Sequence, residues 1–97
     1  MYTPPQKPCI EWDPRVEYAL RKQGMSAREV EAMLREDASV TDEAPFEDKV
    51  TFTSVGTLAS GIPICVVYDQ YPSGAIRISD VYRIAPETLQ EVRRNAR

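Results

Sequence analysis

The sequence predicts an α+β domain with the element order α-α-β-β-β-α. Three observations predict it. The stretch from Asp13 to Glu36, DPRVEYALRKQGMSAREVEAMLRE, reads as two short amphipathic helices joined at Gly24. Three strand-like runs separated by two turns follow it. Pro86 then opens a last short helix. The two turns are tight, so the three strands should form an antiparallel meander. The helices should cover one face of that sheet, with Arg77 standing on the other, partly open face.

Residues 1–9 carry Pro4, Pro5 and Pro8. Proline fixes φ and removes a backbone donor, so this is an extended lead-in to a single domain over residues 10–97. Ile10 to Asp13 is a candidate short edge strand, with Trp12 as its anchor against the core. Asp13 suits an N-cap and Pro14 the first helical turn. The first helix should cover about 14–23. Val16, Ala19, Leu20 and Gln23 fall on one of its faces. Gly24 can take the positive φ that ends a helix. Ser26 opens the second helix, and Glu29 three residues later completes a capping box. Ala27, Val30, Met33 and Leu34 form its buried stripe.

Asp37 to Asp48 is acidic and contains Pro45, so it reads as a loop. Val50 to Val55 begins by alternating apolar and hydroxyl residues, the period of a half-buried strand. Ile62 to Asp69 is almost continuously apolar, as in a central strand covered on both sides. Pro72, Ser73 and Gly74 mark the next turn. Ala75 to Ile84 alternates again, with Ile76 and Ile78 inward and Arg77 and Ser79 outward. The last helix is sparsely apolar, at Leu89, Val92 and Ala96.

Composition narrows the function classes. A chain of 97 residues makes one core, and 42% hydrophobic with 28% charged content is ordinary for a globular domain. No apolar run approaches the roughly 20 residues of a spanning helix. The start, MYTPPQKPCIEW, lacks the basic-then-apolar pattern of a signal peptide, so a cytoplasmic protein is expected. Cys9 and Cys65 stand far apart in unlike contexts, and the chain has no histidine. Neither a disulfide nor a zinc site is expected. The carboxylates Asp42, Glu43, Glu47 and Asp48 lack the spacing of a calcium loop. No metal or cofactor is therefore expected.

The net charge of −3 hides a polarity. Glu29 to Asp48 holds eight acidic residues against Arg35 alone. Ile76 to Arg97 holds five arginines against Asp80, Glu87 and Glu91. A basic C-terminal face could meet phosphate, and the acidic segment could repel or mask it.

Several motifs resemble one family. Asp13-Pro14-Arg15 stands where small toxin-like domains read threonine-proline-histidine. Gly24-Met25-Ser26 matches their glycine–hydrophobic–serine turn, and Val30 and Leu34 match their second helix. VGTLASGIPICVVYD resembles their hairpin, and AIRISDVYRI their last strand. Over residues 11–85 the chain thus resembles the domains related to BrnT/RelE-like ribonuclease toxins. The resemblance implies a small ribonuclease held in check by an antitoxin, with RNA as substrate. Arg15 replaces the family's histidine, and Gln23 stands where lysine-histidine-glycine is common. Cleavage would then rest on arginine and tyrosine. Arg77, Tyr82 and Arg83 are the candidate catalytic residues, and Arg15, Arg93 and Arg94 the candidate RNA-binding residues. Arginine can grip phosphate through two parallel hydrogen bonds, and Tyr82 could stack on a base or donate a proton. Tyr68 and Tyr71, at the second turn, could add stacking surface. The alternative is a non-catalytic protein-interaction module on the same fold, which the acidic segment and an exposed sheet face favour equally.

Overall fold

The computed structural model describes residues 9–95. The proline-rich lead-in and Ala96 lie outside the described residues, except for Cys9. The described chain runs β1 (Ile10–Trp12), α1 (Pro14–Lys22), α2 (Ala27–Glu36), β2 (Ser39–Phe46), β3 (Lys49–Thr57), β4 (Pro63–Gln70), β5 (Ile76–Arg83) and α3 (Pro86–Asn95). The strands form one five-stranded mixed sheet in the order β1-β5-β4-β3-β2. This overturns the expected α-α-β-β-β-α order with a three-stranded sheet. That order lacks β2 altogether and leaves out β1, although Ile10 to Asp13 reads as a candidate edge strand and does form one. β2 occupies the acidic stretch read as a loop and pairs antiparallel with β3. β1 pairs parallel with β5 and closes the other edge.

The helices form for local reasons. The Asp13 carboxylate accepts the Arg15 backbone N–H at 2.9 Å, capping α1 above Pro14. Gly24 turns the chain at φ 80°, a conformation that costs glycine nothing. Ser26 and Glu29 then exchange hydrogen bonds in a complete capping box at the start of α2. Leu20, Val30 and Met33 are buried, whereas Ala19, expected on the inner face of α1, is exposed.

Two apolar clusters flank the sheet. Ile64 and Val66 of β4, with Ile78 and Val81 of β5, pack against Leu20, Val30 and Met33. Cys65 of β4 and Val55 of β3 point the other way and pack against Leu89 and Val92 of α3. The helices therefore lie on both faces, α1 and α2 on one and α3 on the other. The single covered face expected from the sequence is corrected accordingly. The apolar run of β4 has its reason here, because that strand is buried from both sides near Ile64–Val66.

Long-range polar contacts tie the pieces together. Trp12 Nε1 donates to Glu31 Oε2 at 2.8 Å, fastening the three-residue β1 to α2. Gly56 lets α2 approach β3: a Cβ there would lie 2.1 Å from Met33 Sδ and 3.1 Å from the Asp37 carbonyl oxygen. Its φ is not positive, so close approach alone accounts for glycine at this place.

Two β-bulges sit at the same level of the sheet. Between Val40 and Asp42 the β2–β3 register slips, leaving Thr41 as the extra residue. Between Val67 and Tyr68 the β4–β5 register slips, leaving Ser79 as the extra residue. Both extra residues carry a hydroxyl, and both hydroxyls donate across the ladder. Thr41 Oγ1 reaches the Thr53 carbonyl and Ser79 Oγ the Val67 carbonyl, each at 3.1 Å. A bulge interrupts ladder hydrogen bonding, and these side chains offset part of that loss.

Candidate functional site

The structure does not gather the predicted arginines. Arg77 and Arg83 are six residues apart on one strand, and strict alternation would place them on one face. The Ser79 bulge breaks that alternation. Arg77 remains on the α3 face, exposed, in register between Glu11 of β1 and Asp69 of β4. Arg83 follows Val81 to the α1–α2 face, where Nη2 donates to the Gln23 carbonyl at 2.7 Å. It thereby caps the C-terminus of α1, a place that favours a cation.

The other candidates are equally dispersed. Arg15 sits at the opposite end of α1, about 12 Å from Gln23 by helical rise. Its side chain is 93% exposed, and its guanidinium stands 3.6 Å from Asp13. Arg93 is committed to structure: Nη2 donates to the Asp37 carbonyl and pairs with Asp37 Oδ2 at 3.1 Å. Thr57 N–H donates to the same carboxylate at 2.9 Å. Asp37 is thus held below the ordinary carboxylate range, by the Thr57 amide first and by Arg93 second. This clamp joins α3 to the end of α2 and to the end of β3. Arg94 is exposed in the last turn of α3.

Tyr82 stands in register with Cys65, beside α3, and is 45% exposed. A hydrogen bond with the Cys65 thiol, then partial burial, pushes its phenol above the ordinary value of 10.0. A phenol shifted that way is a weaker acid, and no predicted arginine but Arg77 shares its face of the strand. Tyr68 and Tyr71, the two other stacking candidates, also have partners or neighbours. Tyr68 stacks on Phe52 with ring centroids 5.4 Å apart, and its hydroxyl meets Ser54 Oγ at 3.5 Å.

One polar cluster decorates the α3 face beyond that helix. Asp69 Oδ1 accepts from Thr51 Oγ1 at 2.6 Å, and Oδ2 pairs with Lys49 Nζ at 3.2 Å. Burial pushes the Asp69 carboxyl up, but Thr51, Lys49 and the field of Arg77 outweigh it and leave it below its ordinary value. Lys49 is raised in turn, chiefly by its bond to Asp69. The cluster is internally satisfied.

The least satisfied surface lies at the other sheet edge. β2 is an edge strand whose last five residues are exposed. Pro45 fits there because it cannot donate to a ladder on both sides. Asp42, Glu43, Glu47 and Asp48 are all exposed, and among the described residues none of them forms an ion pair. Phe46 is 62% exposed among them. The two-residue turn to β3 places Glu47 at φ 53°, a left-handed conformation uncommon outside glycine, asparagine and aspartate.

Beside this turn a groove of about 400 Å³ opens on the α1–α2 face, past the ends of those helices. Pro45, Val50, Phe52, Tyr71 and Pro72 form its apolar walls, with Glu47 and Asp48 along the rim. Glu43 is the cross-strand partner of Phe52 and so stands on the same face. The nearest cation, Lys49, is already tied to Asp69. Sequence reasoning marked the acid of 42–48 but not the groove. Phe46 gave no signal for it, because it pairs with Lys49 on the opposite face of the sheet and is not part of the groove's lining.

Among the described residues no cluster of histidine, cysteine or carboxylate side chains could hold a metal ion. Cys9 is exposed and Cys65 buried, and both are free thiols. Among the described residues no helix is long and apolar enough to cross a membrane. No protein family, curated protein or solved structure matches the chain.

Proposed function

We propose that the chain is a non-catalytic protein-interaction module that engages its partner through the acidic edge of the sheet. The carrying observation is the β2 edge: four exposed carboxylates without ion-pair partners among the described residues, around an exposed Phe46. An open strand edge invites pairing with another chain, and carboxylates restrict which chain can approach. A basic protein surface answers that charge, and an RNA backbone is repelled by it. Cleavage of RNA requires a proton acceptor, a proton donor and a cluster of cations around one phosphate. The arginines chosen for that task lie on different faces, and Arg83 and Arg93 already hold backbone carbonyls.

The test compares the full chain with a Glu43→Lys/Glu47→Lys/Asp48→Lys variant. Proteins captured by the wild type are identified, purified and rebound in isolation at several salt concentrations. Rebinding that weakens with salt and disappears in the variant is expected. Equal rebinding by both chains refutes the reading. Cleavage of RNA by the purified wild type, lost in Arg77→Ala/Arg83→Ala at equal protein level, would replace it with the BrnT/RelE-like ribonuclease.

A further inference from the structure

We infer that the groove at the tip of the sheet is an anchor pocket for one aromatic or large aliphatic side chain of a basic, extended segment of a partner protein. The inference rests on the interaction-module reading and adds the chemistry of the partner. Size and lining come first. A volume of about 400 Å³ falls within the range of ligand-binding clefts. Val50, Phe52, Pro45, Tyr71 and Pro72 offer an apolar side chain contact, with Lys49 and Gln70 adding polar groups to the lining. The stacked Phe52–Tyr68 pair stiffens one side, so the pocket is formed before any partner arrives.

Charge then selects the occupant. Glu47 and Asp48 line this patch and Glu43 stands on the same face opposite Phe52, and among the described residues none of them is ion-paired. Lys49 also lines the groove, but its ammonium is paired with Asp69 at 3.2 Å, so the lining keeps a net negative charge. An anchor flanked by lysine or arginine meets both features at once, apolar side chain in the groove and cations at the rim. A second copy of this chain fits poorly, since its own β2 edge would bring four further carboxylates to the same place. An enclosed small molecule is also a poor fit, since the groove is open along one side. The anchor-and-rim division is the usual anatomy of a protein interface.

The test is an NMR titration of the isotopically labelled full chain with two synthetic peptides. One is acetyl-Lys-Arg-Phe-Arg-Lys-amide, and the other has alanine in place of its phenylalanine. The phenylalanine peptide should move the amide signals of Val50, Phe52, Gln70 and Tyr71 and leave those of α1 in place. The alanine peptide should bind about tenfold more weakly or less, the usual effect of losing one buried aromatic ring. Glu43→Lys/Glu47→Lys/Asp48→Lys should weaken the phenylalanine peptide by at least about tenfold. Equal binding of both peptides, with shifts confined to β2, overturns the anchor pocket and leaves the acidic edge as a docking surface. Binding of neither peptide at millimolar concentration overturns the pocket and the acidic-edge reading together.

Discussion

Replacing Gly56 with alanine tests how closely α2 is set on the sheet. The new Cβ would stand 2.1 Å from Met33 Sδ and 2.9 Å from Met33 Cγ. Carbon atoms in contact normally keep about 3.5–4.0 Å apart, so the thioether must retreat by well over an ångström. Met33 is only 3% exposed and packs among Leu20, Val30 and Ile64, so its thioether can retreat only toward the open cavity of about 320 Å³ that it lines with Ala32, Asp37 and Thr57. The Asp37 carbonyl oxygen at 3.1 Å is backbone and resists as well. Overpacking of this kind costs about 1–3 kcal/mol. Alanine in a strand regains up to about 1 kcal/mol over glycine, so the net loss should be about 1–2 kcal/mol. Urea denaturation followed by circular dichroism measures it. A double-mutant cycle with Met33→Ala locates the cause. Met33→Ala alone should cost about 2–5 kcal/mol, and the double variant should cost clearly less than the sum. Stability of Gly56→Ala within about 0.5 kcal/mol of wild type, or strict additivity with Met33→Ala, would refute the close-packing argument.

Three further outcomes are expected. Asp37 and Asp69 titrate below the ordinary 3.8 in the folded chain. The unfolded chain therefore takes up protons first, and their contribution is present above pH 3.8 and lost as pH falls from there through the folded values. Carboxyl-detected NMR should show both midpoints below 3.8, and Asp37→Asn should flatten the acid limb of the stability curve. Tyr82 should titrate above pH 10.0 by ultraviolet absorbance, and Cys65→Ala should bring the midpoint back down, because the thiol is the leading cause of its shift. Arg93→Lys should cost about 1 kcal/mol in thermal or chemical unfolding, since both Asp37 contacts are made by the terminal nitrogen Nη2, which the shorter lysine does not reach in the same place, and the site is partly exposed. An unchanged value for Arg93→Lys would mean that α3 is held by Leu89 and Val92 alone.

How much of this was legible depends on how far each feature reaches along the chain. The Ser26–Glu29 capping box and the Asp13–Pro14 start span a few residues, and their partners are visible side by side. β2 was hidden because an open edge needs no apolar alternation, and its acid and its proline are what such an edge uses to avoid aggregation. β1 was legible as a candidate edge strand with Trp12 as its anchor, but its parallel pairing with β5 and the Trp12–Glu31 bond across 19 residues were not. The second helical face depends on Cys65 and Val55 pointing away from Ile64 and Val66. Nothing in α3 says which side of the sheet it will take. The candidate arginine site depended on the parity of β5. Ser79 shifts that parity, and a serine that forms a bulge looks no different in sequence from a serine that does not. Arg93 reads as a tail cation until Asp37, 56 residues away, is brought beside it.

The paired bulges bear on how this chain can change its length. In a regular strand, losing one residue inverts every side chain beyond the cut. Thr41 and Ser79 are exceptions, because each is the residue its ladder leaves unpaired. Without Ser79, Ile78 would still face α1 and α2, Asp80 would still face away, and Val81 would still reach the core. The same holds for Val40 and Asp42 around Thr41. A single deletion at either place would flatten the sheet and forfeit one hydroxyl bond, yet leave both faces with their present residues. The same deletion at Val66 would turn half of the central strand inside out. Two serine- and threonine-sized gaps in an alignment, one in each strand flanking the central pair, would thus mark relatives whose sheets are straighter but otherwise alike.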